Sequence, residues 1–174
     1  MNEAYENLLP RRSCRKYREE QLKPADLDAI LTAGTYAPTG RGAQSPLMVV
    51  LQKKEDIEAV EKLNAAVLGT PEAKPFYGAP TVVIVFGDTQ KNVGVADGNM
   101  VIANLLNAAN AVGVDSCYIW RAREAFESEE GQALKKKWGV PEHYAGVGHV
   151  ILGYGLPEGK REAAPRKEGY VIRV

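Results

Sequence analysis

The stretch that most constrains this chain is an uncharged run from Gly98 to Val114, which Asp97 precedes and Asp115 follows. A short apolar segment, SCYIW, comes immediately after it, so the pattern predicts a helix, a turn and a strand. At about 100° per residue, the apolar side chains of the run share one wide face. They are Val101, Ile102, Leu105, Leu106, Ala108, Ala109 and Val112. We expect this helix to form the buried centre of the fold.

The opposite arc of the helix carries neutral amides where a solvated surface normally has charged side chains. It contains Asn99, Asn104, Asn107 and Asn110. Neutral amides favour a helix that is buried nearly all round, with its Asn side chains bonded to protein groups or to a ligand. A small domain has little room for such a helix, so the pattern indicates a second subunit, and an ordinary core helix with tolerated asparagines is the alternative. Four asparagines and a run shorter than about 20 residues argue against a membrane span.

Length and composition predict one soluble globular domain over residues 1–174, with 45% apolar and 25% charged residues. Because 22 basic and 22 acidic side chains cancel, no long-range field directs the whole protein to nucleic acid or to an anionic membrane. The chain has two cysteines, Cys14 and Cys117, and its first residues lack the pattern of a secretory signal. We therefore expect a reduced, cytoplasmic protein.

The remaining pattern combines helices and strands. Helices are expected at 3–9, 24–36, 55–67 and 128–138, and strands at 46–52, 81–88, 116–120, 147–154 and, as a possible edge strand, the terminal YVIRV. The segment TVVIVFGD contains an unbroken β-branched run, which indicates a strand that is buried on both faces. The architecture is therefore α+β or α/β, with helices layered on a sheet of four or five strands.

Motifs for metal binding, nucleotide binding and nucleophilic catalysis are missing from the sequence. TGRGAQS follows a helix and precedes a strand, which reverses the order of the dinucleotide-binding motif. His143 and His149 have no metal-ligand spacing, so no metal site is expected. Cys117 and His149 could meet in space, but nothing local supports a catalytic pair. We interpret Cys117 as a buried structural residue and His149 as a surface or strand-end residue.

Basic side chains near the two ends of the chain suggest an anion site. Arg11, Arg12, Ser13 and Arg15 place three guanidiniums and a hydroxyl within five residues, and alternate residues of an extended chain share one side. Guanidinium groups suit multidentate contacts with phosphate, and Arg166 and Lys167 could close around the same group. A solvated basic surface is the alternative explanation of the same residues.

Six short motifs follow one another along the chain. They are RRSxRxY, APTG followed by Gln44, FYGAP before a buried strand, the neutral helix ending in GVDSCYI, GHVILGY, and a late Pro-Arg-Lys segment. Each motif is weak alone, but their order spans nearly the whole chain. In this order the chain resembles the nitroreductase family of flavoproteins, although Gly42 and Ser45-Pro46 depart from the residues that the family commonly has there.

The resemblance implies a fold, a cofactor and a reaction. The fold would be an α+β three-layer sandwich, with a mixed central sheet flanked by helices, in an intertwined homodimer with FMN at each of two sites across the interface. NADH or NADPH would deliver electrons through FMN to a small organic acceptor, such as a nitroaromatic compound or a quinone, by a ping-pong route. Because the flavin supplies the redox chemistry, the lack of a protein nucleophile or metal motif agrees with this interpretation.

The resemblance also implies cofactor-binding residues. Those for the phosphate and ribityl chain are Arg11, Arg12, Ser13 and Arg15, with Arg166 and Lys167 as late cationic partners. A loop that the other subunit lays against the flavin is matched by Pro38, Thr39, Gly40 and Gln44. The segment beside the flavin ring is matched by Tyr118, Ile119 and Trp120. Asn64 matches a residue that contacts the flavin or the ribityl chain. No residue is expected to be catalytic by itself. An FMN-binding sensor or carrier without turnover, or a flavin enzyme for dehalogenation or flavin fragmentation, remains the alternative.

Overall fold

The centre of the fold is a four-stranded sheet, in a computed structural model that describes residues 2–174. Its strands are β1 (Leu47–Leu51), β2 (Thr81–Asp88), β3 (Asp115–Ile119) and β4 (Tyr144–Gly153), in the spatial order β1-β2-β4-β3. Every pairing between these strands is antiparallel. The expectation of a mixed sheet is corrected accordingly, because β2 and β3 run in the same direction but β4 lies between them. Within residues 2–174, parallel pairing is confined to a bridge between Ser13 and Ser116.

Helices cover both faces of the sheet. They are α1 (Glu3–Leu8), α2 (Pro24–Thr35), α3 (Lys54–Leu68), α4 (Gly94–Ala111), α5 (Ala122–Glu127) and α6 (Glu129–Lys137). Alternate side chains of β2 enter two different cores: Val82, Ile84 and Phe86 join one cluster, and Val83 and Val85 join the other. All eight residues of β2 are buried, as the unbroken apolar run predicts. The predicted three-layer α+β sandwich is confirmed.

Different helices pack on the two faces of the sheet, which we call the closed face and the open face. The closed face carries α3, α5 and α6, and its core includes Phe76, Phe86 and Phe126. The open face carries α2 and α4, whose side chains pack on Val83, Val85 and Val150.

The predicted elements agree with the structure except at particular ends. The helix α4 begins at Gly94, before the predicted start at Asp97, and the short helix α5 was not predicted. The terminal YVIRV forms no strand within the described chain, and its apolar side chains are exposed. No helix of residues 2–174 combines the length and apolar character needed to cross a membrane.

The helix α4 is buried on one side only in this single chain. Val101, Ile102 and Leu105 face the core, whereas Val95 and Met100 are exposed. The expectation that the helix is buried nearly all round is therefore not met within one subunit. The predicted bonding of its amides to protein groups is confirmed at three positions. Asn104 Nδ2 donates to the Ala33 carbonyl, Asn110 Nδ2 donates to the carbonyl and side chain of Asn7, and Asn99 Nδ2 donates to the Val95 carbonyl of the same helix.

Candidate functional site

The basic segment at residues 11–17 lies along the edge of the sheet beside β3. Cys14 N donates to the Ser116 carbonyl at 2.9 Å, and Arg15 N donates to the Gly159 carbonyl at 2.9 Å. The Cys14 side chain is fully buried in the core of the closed face. Since alternate residues of an extended chain point in opposite directions, Ser13 and Arg15 point away from that core. The predicted extended segment is confirmed, and its backbone is fixed on both sides.

The basic side chains of this segment have few partners. Within residues 2–174, the side chains of Arg11, Ser13 and Arg15 form no hydrogen bond or ion pair. Arg12 is different, because its Nη1 donates to the carbonyls of Leu9 and Arg11 at 2.7 Å each. The segment therefore presents two free guanidiniums and a hydroxyl.

The late basic residues do not converge on this segment in the single chain. Arg166 donates to the Ala164 carbonyl at 2.5 Å, and Lys167 lies 5.6 Å from the centroid of the Tyr170 ring. The chain that does lie against residues 14–17 is 155–160, where Lys160 Nζ pairs with the Asp115 carboxylate at 3.0 Å. Of the predicted phosphate cluster, these contacts bring together the early basic residues but not Arg166 and Lys167.

The loop from Pro38 to Gln44 lies at the start of α4. Gly40 N donates to Asp97 Oδ1 at 3.0 Å, and Gln44 N donates to the Thr39 hydroxyl at 3.0 Å. A Cβ on Gly40 would lie 2.4 Å from Val93 Cγ2, so glycine permits this close approach. Gly42 has a φ of +65°. That conformation explains its departure from the family, because glycine and asparagine are the residues that adopt it most readily.

Asp97 is a site residue that the sequence did not identify. Its side chain is 5% exposed, and its Oδ2 is buried without a hydrogen-bond partner in the described chain. The first turn of α4 that carries it is tightly packed, since a Cβ on Gly94 would lie 2.0 Å from the Asp88 carbonyl oxygen. Asp97 therefore connects the loop to a fixed point at the end of β2.

The predicted residues form two groups at opposite ends of α4. The loop contacts Asp97 near its start, whereas α1, which leads into the basic segment, contacts Asn107 and Asn110 near its end. At 1.5 Å per residue, Asp97 and Asn110 are about 20 Å apart along the axis. The helix thus separates the loop from the guanidiniums of the same chain.

The end of β3 carries the residues predicted to lie beside a flavin ring. The Tyr118 ring packs on Gly148 on the open face, and Ile119 is buried on the closed face. Burial raises the pKa of the Tyr118 phenol. Trp120 follows the strand and is 59% exposed. Along β3, Trp120 lies about 13 Å from Ser116, the neighbour of Ser13.

Asn64 contacts the predicted ring segment through its side chain. It lies on α3 and is fully buried, and its Nδ2 donates to the Trp120 carbonyl at 2.7 Å. Its Oδ1 accepts a bond from Arg121 Nε at 3.1 Å. Both polar ends of Asn64 are therefore engaged with the turn that follows β3.

That turn holds a second residue that the sequence did not identify. Arg121 has a φ of +71°, which is uncommon for a residue other than glycine. Its guanidinium carbon lies 5.4 Å from the centroid of the Trp120 ring. A positive φ leaves no pattern in a single sequence, so only the fold reveals it.

His149 is buried in the middle of β4, which corrects its interpretation as a surface or strand-end residue. The strand begins at Tyr144, earlier than predicted, and carries the ring between Phe76 and Phe126. Nδ1 lies 3.1 Å from the Ile119 carbonyl, which only accepts, so Nδ1 carries the proton. Burial, with a smaller effect from the Arg121 charge, lowers the pKa of His149 to about 4.

A groove of about 520 Å³ lies between the start of α3 and residues 74–80. Its walls include Ile57, Glu61, Phe76 and Pro80, and none of the predicted cofactor-binding residues lines it. Apart from Asn64 and Ile119, which are buried, the predicted residues are at least partly exposed. Such an arrangement is typical of a site that is completed by another molecule.

Comparisons with known proteins agree with the resemblance seen in the sequence. The model of the nitroreductase family matches residues 8–76. A protein of Archaeoglobus fulgidus, provisionally named NADH dehydrogenase/NAD(P)H nitroreductase, is 29% identical over 157 residues, which are 88% of this chain and 86% of that protein. A protein of Methanothermobacter thermautotrophicus with the same provisional name is 24% identical over 156 residues, 87% of this chain and 77% of that protein.

Solved structures of nitroreductases share the fold. The crystal structure of a nitroreductase with bound FMN from Bacteroides fragilis superposes with a TM-score of 0.91 at 28% identity, over 100% of both chains. The FMN-bound nitroreductase from Desulfitobacterium hafniense superposes with a TM-score of 0.88 at 26% identity, over 100% of this chain and 99% of the other. In sequence and in fold, the chain is thus similar to proteins of the nitroreductase family.

Proposed function

We propose that this protein is an FMN-dependent oxidoreductase that transfers electrons from NADH or NADPH to a small organic acceptor by a ping-pong route. The acceptor would be a nitroaromatic compound, a quinone or a similar molecule. Residues 1–174 form a single flavin-binding domain, which works as a homodimer with FMN at the subunit interface. The names of the relatives and the FMN in the structures of similar fold support these cofactors.

The observation that carries the proposal is the separation of the predicted residues along α4. Between its two ends, the helix exposes Val95, Asn99, Met100 and Ala103, none of which is charged. A two-fold axis near the middle of this surface pairs two copies of α4 in opposite directions. That pairing brings the Pro38–Gln44 loop of one subunit to the basic segment of its partner. Two complete sites result, each with residues from both chains.

The free side chains of the basic segment fit a phosphate monoester. The backbone N–H groups of Cys14 and Arg15 already donate to Ser116 and Gly159, so these two groups are not available to a phosphate. Arg15 and Arg11 supply forked donors, and Ser13 supplies a hydroxyl. The distance along β3 to Trp120 suits an extended ligand with a phosphate at one end and a ring at the other.

The roles of the chain are to bind and orient. A bound FMN would supply the redox chemistry by which electrons from the nicotinamide reach the acceptor. Arg11, Ser13, Arg15, Arg166 and Lys167 hold the phosphate. The partner's loop and the Tyr118–Trp120 segment fix the ring, while Asn64 holds the backbone of that segment. This division leaves no need for a protein nucleophile.

The tail after Lys160 supports an intertwined assembly. Tyr170, Val171, Ile172 and Val174 are exposed, although three of them are strongly apolar. The edge of β1 opposite β2 has no neighbouring strand within residues 2–174. A tail that crosses to the partner would bury these side chains and carry Arg166 and Lys167 with it.

The first experiment identifies the cofactor and its reduction. Purified protein should release FMN on denaturation, and anaerobic mixing with NADH or NADPH should bleach the flavin within seconds. FAD as the sole released flavin would contradict the phosphate site. Bound FMN that neither donor bleaches would favour a sensor or carrier.

A second experiment tests the phosphate contact. Arg15→Ala should weaken FMN binding by about ten- to more than a hundred-fold, because a charge-assisted hydrogen bond contributes about 1.5 to 3 kcal/mol. Arg18→Ala is the matched control, since Arg18 already pairs with Glu20 at 3.6 Å. Titration of the apoprotein by flavin fluorescence measures both. Equal affinities for the two variants would mean that the basic segment does not hold the phosphate.

A third experiment tests whether each site is shared. Gly40→Val should displace the loop, because the added Cβ meets Val93, and so should lower FMN binding as Arg15→Ala does. When the two variants are co-refolded, a mixed dimer contains one doubly defective site and one intact site. FMN binding should therefore return to about half the sites of the mixed dimers. No recovery would place the whole site in one chain.

A further inference from the structure

The turn after β3 presents an aromatic ring and a cation side by side. The Trp120 indole is 59% exposed, and the Arg121 guanidinium carbon lies 5.4 Å from its ring centroid. We call these two residues the Trp120–Arg121 pair. None of the residues expected to bind the flavin phosphate belongs to it.

A buried amide fixes the geometry of the pair. Asn64 donates to the Trp120 carbonyl at 2.7 Å and accepts from Arg121 Nε at 3.1 Å, and it is fully buried. The positive φ of Arg121 directs the chain into α5 at the same point. The Trp120 backbone and the Arg121 guanidinium are therefore held in place before any ligand arrives, which lowers the entropy cost of binding.

The charge of Arg121 is unpaired. Within residues 2–174 it forms no ion pair, in contrast to Arg123, whose Nε lies 2.9 Å from Glu127 Oε1. Because Arg121 uses only Nε, its two terminal nitrogens remain free as a fork. That fork has the geometry that binds a carboxylate through two parallel hydrogen bonds.

We propose that the Trp120–Arg121 pair is a subsite that selects planar aromatic anions, such as aromatic carboxylates, as ligands of the acceptor site. This inference rests on the proposed function, in which Trp120 lies beside the flavin ring. An aromatic ring that packs on the exposed indole places its carboxylate within reach of the Arg121 fork. The subsite binds by stacking and by an ion pair, and it forms no covalent bond.

The first test compares ligands that differ in charge but not in shape. In the purified holoenzyme, benzoate should bind about tenfold more tightly or better than benzamide, by the free energy of a charge-assisted hydrogen bond. Quenching of tryptophan fluorescence reports binding, and Trp138→Phe removes the signal of the other tryptophan. The ratio of kcat/KM for 4-nitrobenzoate and 4-nitrobenzamide should show the same preference. A ratio near one in both measurements would overturn the subsite.

The second test assigns the preference to Arg121. Arg121→Gln should bring the benzoate to benzamide ratio close to one, and Arg121→Lys should recover part of it. Arg123→Gln, which removes an exposed arginine two residues away, should leave the ratio as in the wild type. A ratio that survives Arg121→Gln would also overturn the proposal.

Different experimental results would refute the subsite and the proposed function. If NADPH or NADH bleaches the flavin and neutral acceptors turn over without a charge preference, the function stands and the subsite is wrong. If no flavin is bound but benzoate still quenches fluorescence in an Arg121-dependent manner, the subsite stands and the function is wrong. A partner subunit that covers Trp120 completely would give no quenching by either ligand, which counts against the subsite.

Discussion

The helices on the two faces of the sheet expose different kinds of side chain, although the same strands form both faces. On the closed face, α6 covers the core and turns Glu129, Glu130 and Lys136 to solvent. On the open face, α4 covers the core but turns Val95, Asn99 and Met100 outward. A charged exterior completes a subunit, whereas an uncharged and partly apolar exterior is typical of a surface that another chain covers.

Residues that matter for stability and residues that matter for function also lie mostly on different faces. The closed face contains the aromatic core and the buried His149, and none of its fully buried side chains other than Asn64 and Ile119 belongs to the predicted site. The open face carries Asp97, the Gly40 loop and Tyr118. Changes on the closed face should therefore affect unfolding first, and changes on the open face should affect assembly and flavin binding first.

The largest effect is expected from Phe126→Ala on the closed face. Phe126 is 1% exposed and contacts Phe86, Trp138 and His149. Loss of the ring should lower the free energy of unfolding by about 3 to 5 kcal/mol. Urea denaturation monitored by circular dichroism measures the change. A variant that loses its dimer or its flavin before it loses stability would break the proposed separation of the faces.

A comparable effect is expected from Met100→Glu on the open face, but in assembly. A two-fold axis near Met100 would bring two glutamates together. Like charges across an interface make the free energy of association less favourable by roughly several kcal/mol. Light scattering should show a folded monomer at micromolar concentration. Lys136→Glu on the outer side of α6 is the matched control and should remain dimeric. A dimeric Met100→Glu protein would place the interface elsewhere.

The pH dependence of stability tests the closed face again. The pKa of His149 is about 4 in the folded protein, below its usual value of 6.5, so the unfolded chain binds more protons between these values. Stability from this group is complete above pH 6.5 and falls by about 3 kcal/mol as the pH decreases to 4. Urea titrations at pH 7 and pH 4.5 should give a smaller difference for His149→Gln. An equal difference would show that His149 is already charged or accessible.

A smaller effect is expected from Asp97→Ala on the open face. Loss of the bond to Gly40 N should free the loop and weaken FMN binding by about tenfold or more. Asp97→Asn keeps an acceptor oxygen and should recover most of the affinity. Glu61→Ala is the matched control, because Glu61 is a buried carboxylate that accepts from Phe76 N at 2.8 Å on the closed face. If both alanine variants lose FMN equally, the loss reflects general destabilisation.

The smallest effect is expected from Ser128→Ala at the start of α6. The Ser128 hydroxyl accepts from Gly131 N at 3.1 Å and caps the helix. Its loss should lower the free energy of unfolding by about 1 kcal/mol and leave FMN affinity unchanged. A thermal melt with and without FMN distinguishes the two quantities. A loss of FMN affinity would show that the closed face also shapes the site.

Local signals determined much of the fold from the sequence alone. The limits of β2 agree to the residue, because an unbroken β-branched run between Pro80 and Thr89 admits few other arrangements. The helix α6 was placed within one residue at each end by Ser128 and Gly139. The order of six motifs along the chain indicated the resemblance to the nitroreductase family. The neutral amides of α4 predicted bonds to protein, which Asn104 and Asn110 form.

Only the tertiary structure decided how these parts meet. The insertion of β4 between β2 and β3 depends on pairing across more than fifty residues, which no local pattern encodes. The helix α5 is too short for a periodic signal, and it packs closely against Gly146 of β4. The bonds of Asp97 to Gly40 and of Asn64 to Arg121 join residues 57 positions apart. Residue types limit which bonds can form, but the packing of helices on the sheet decides which partners come within reach.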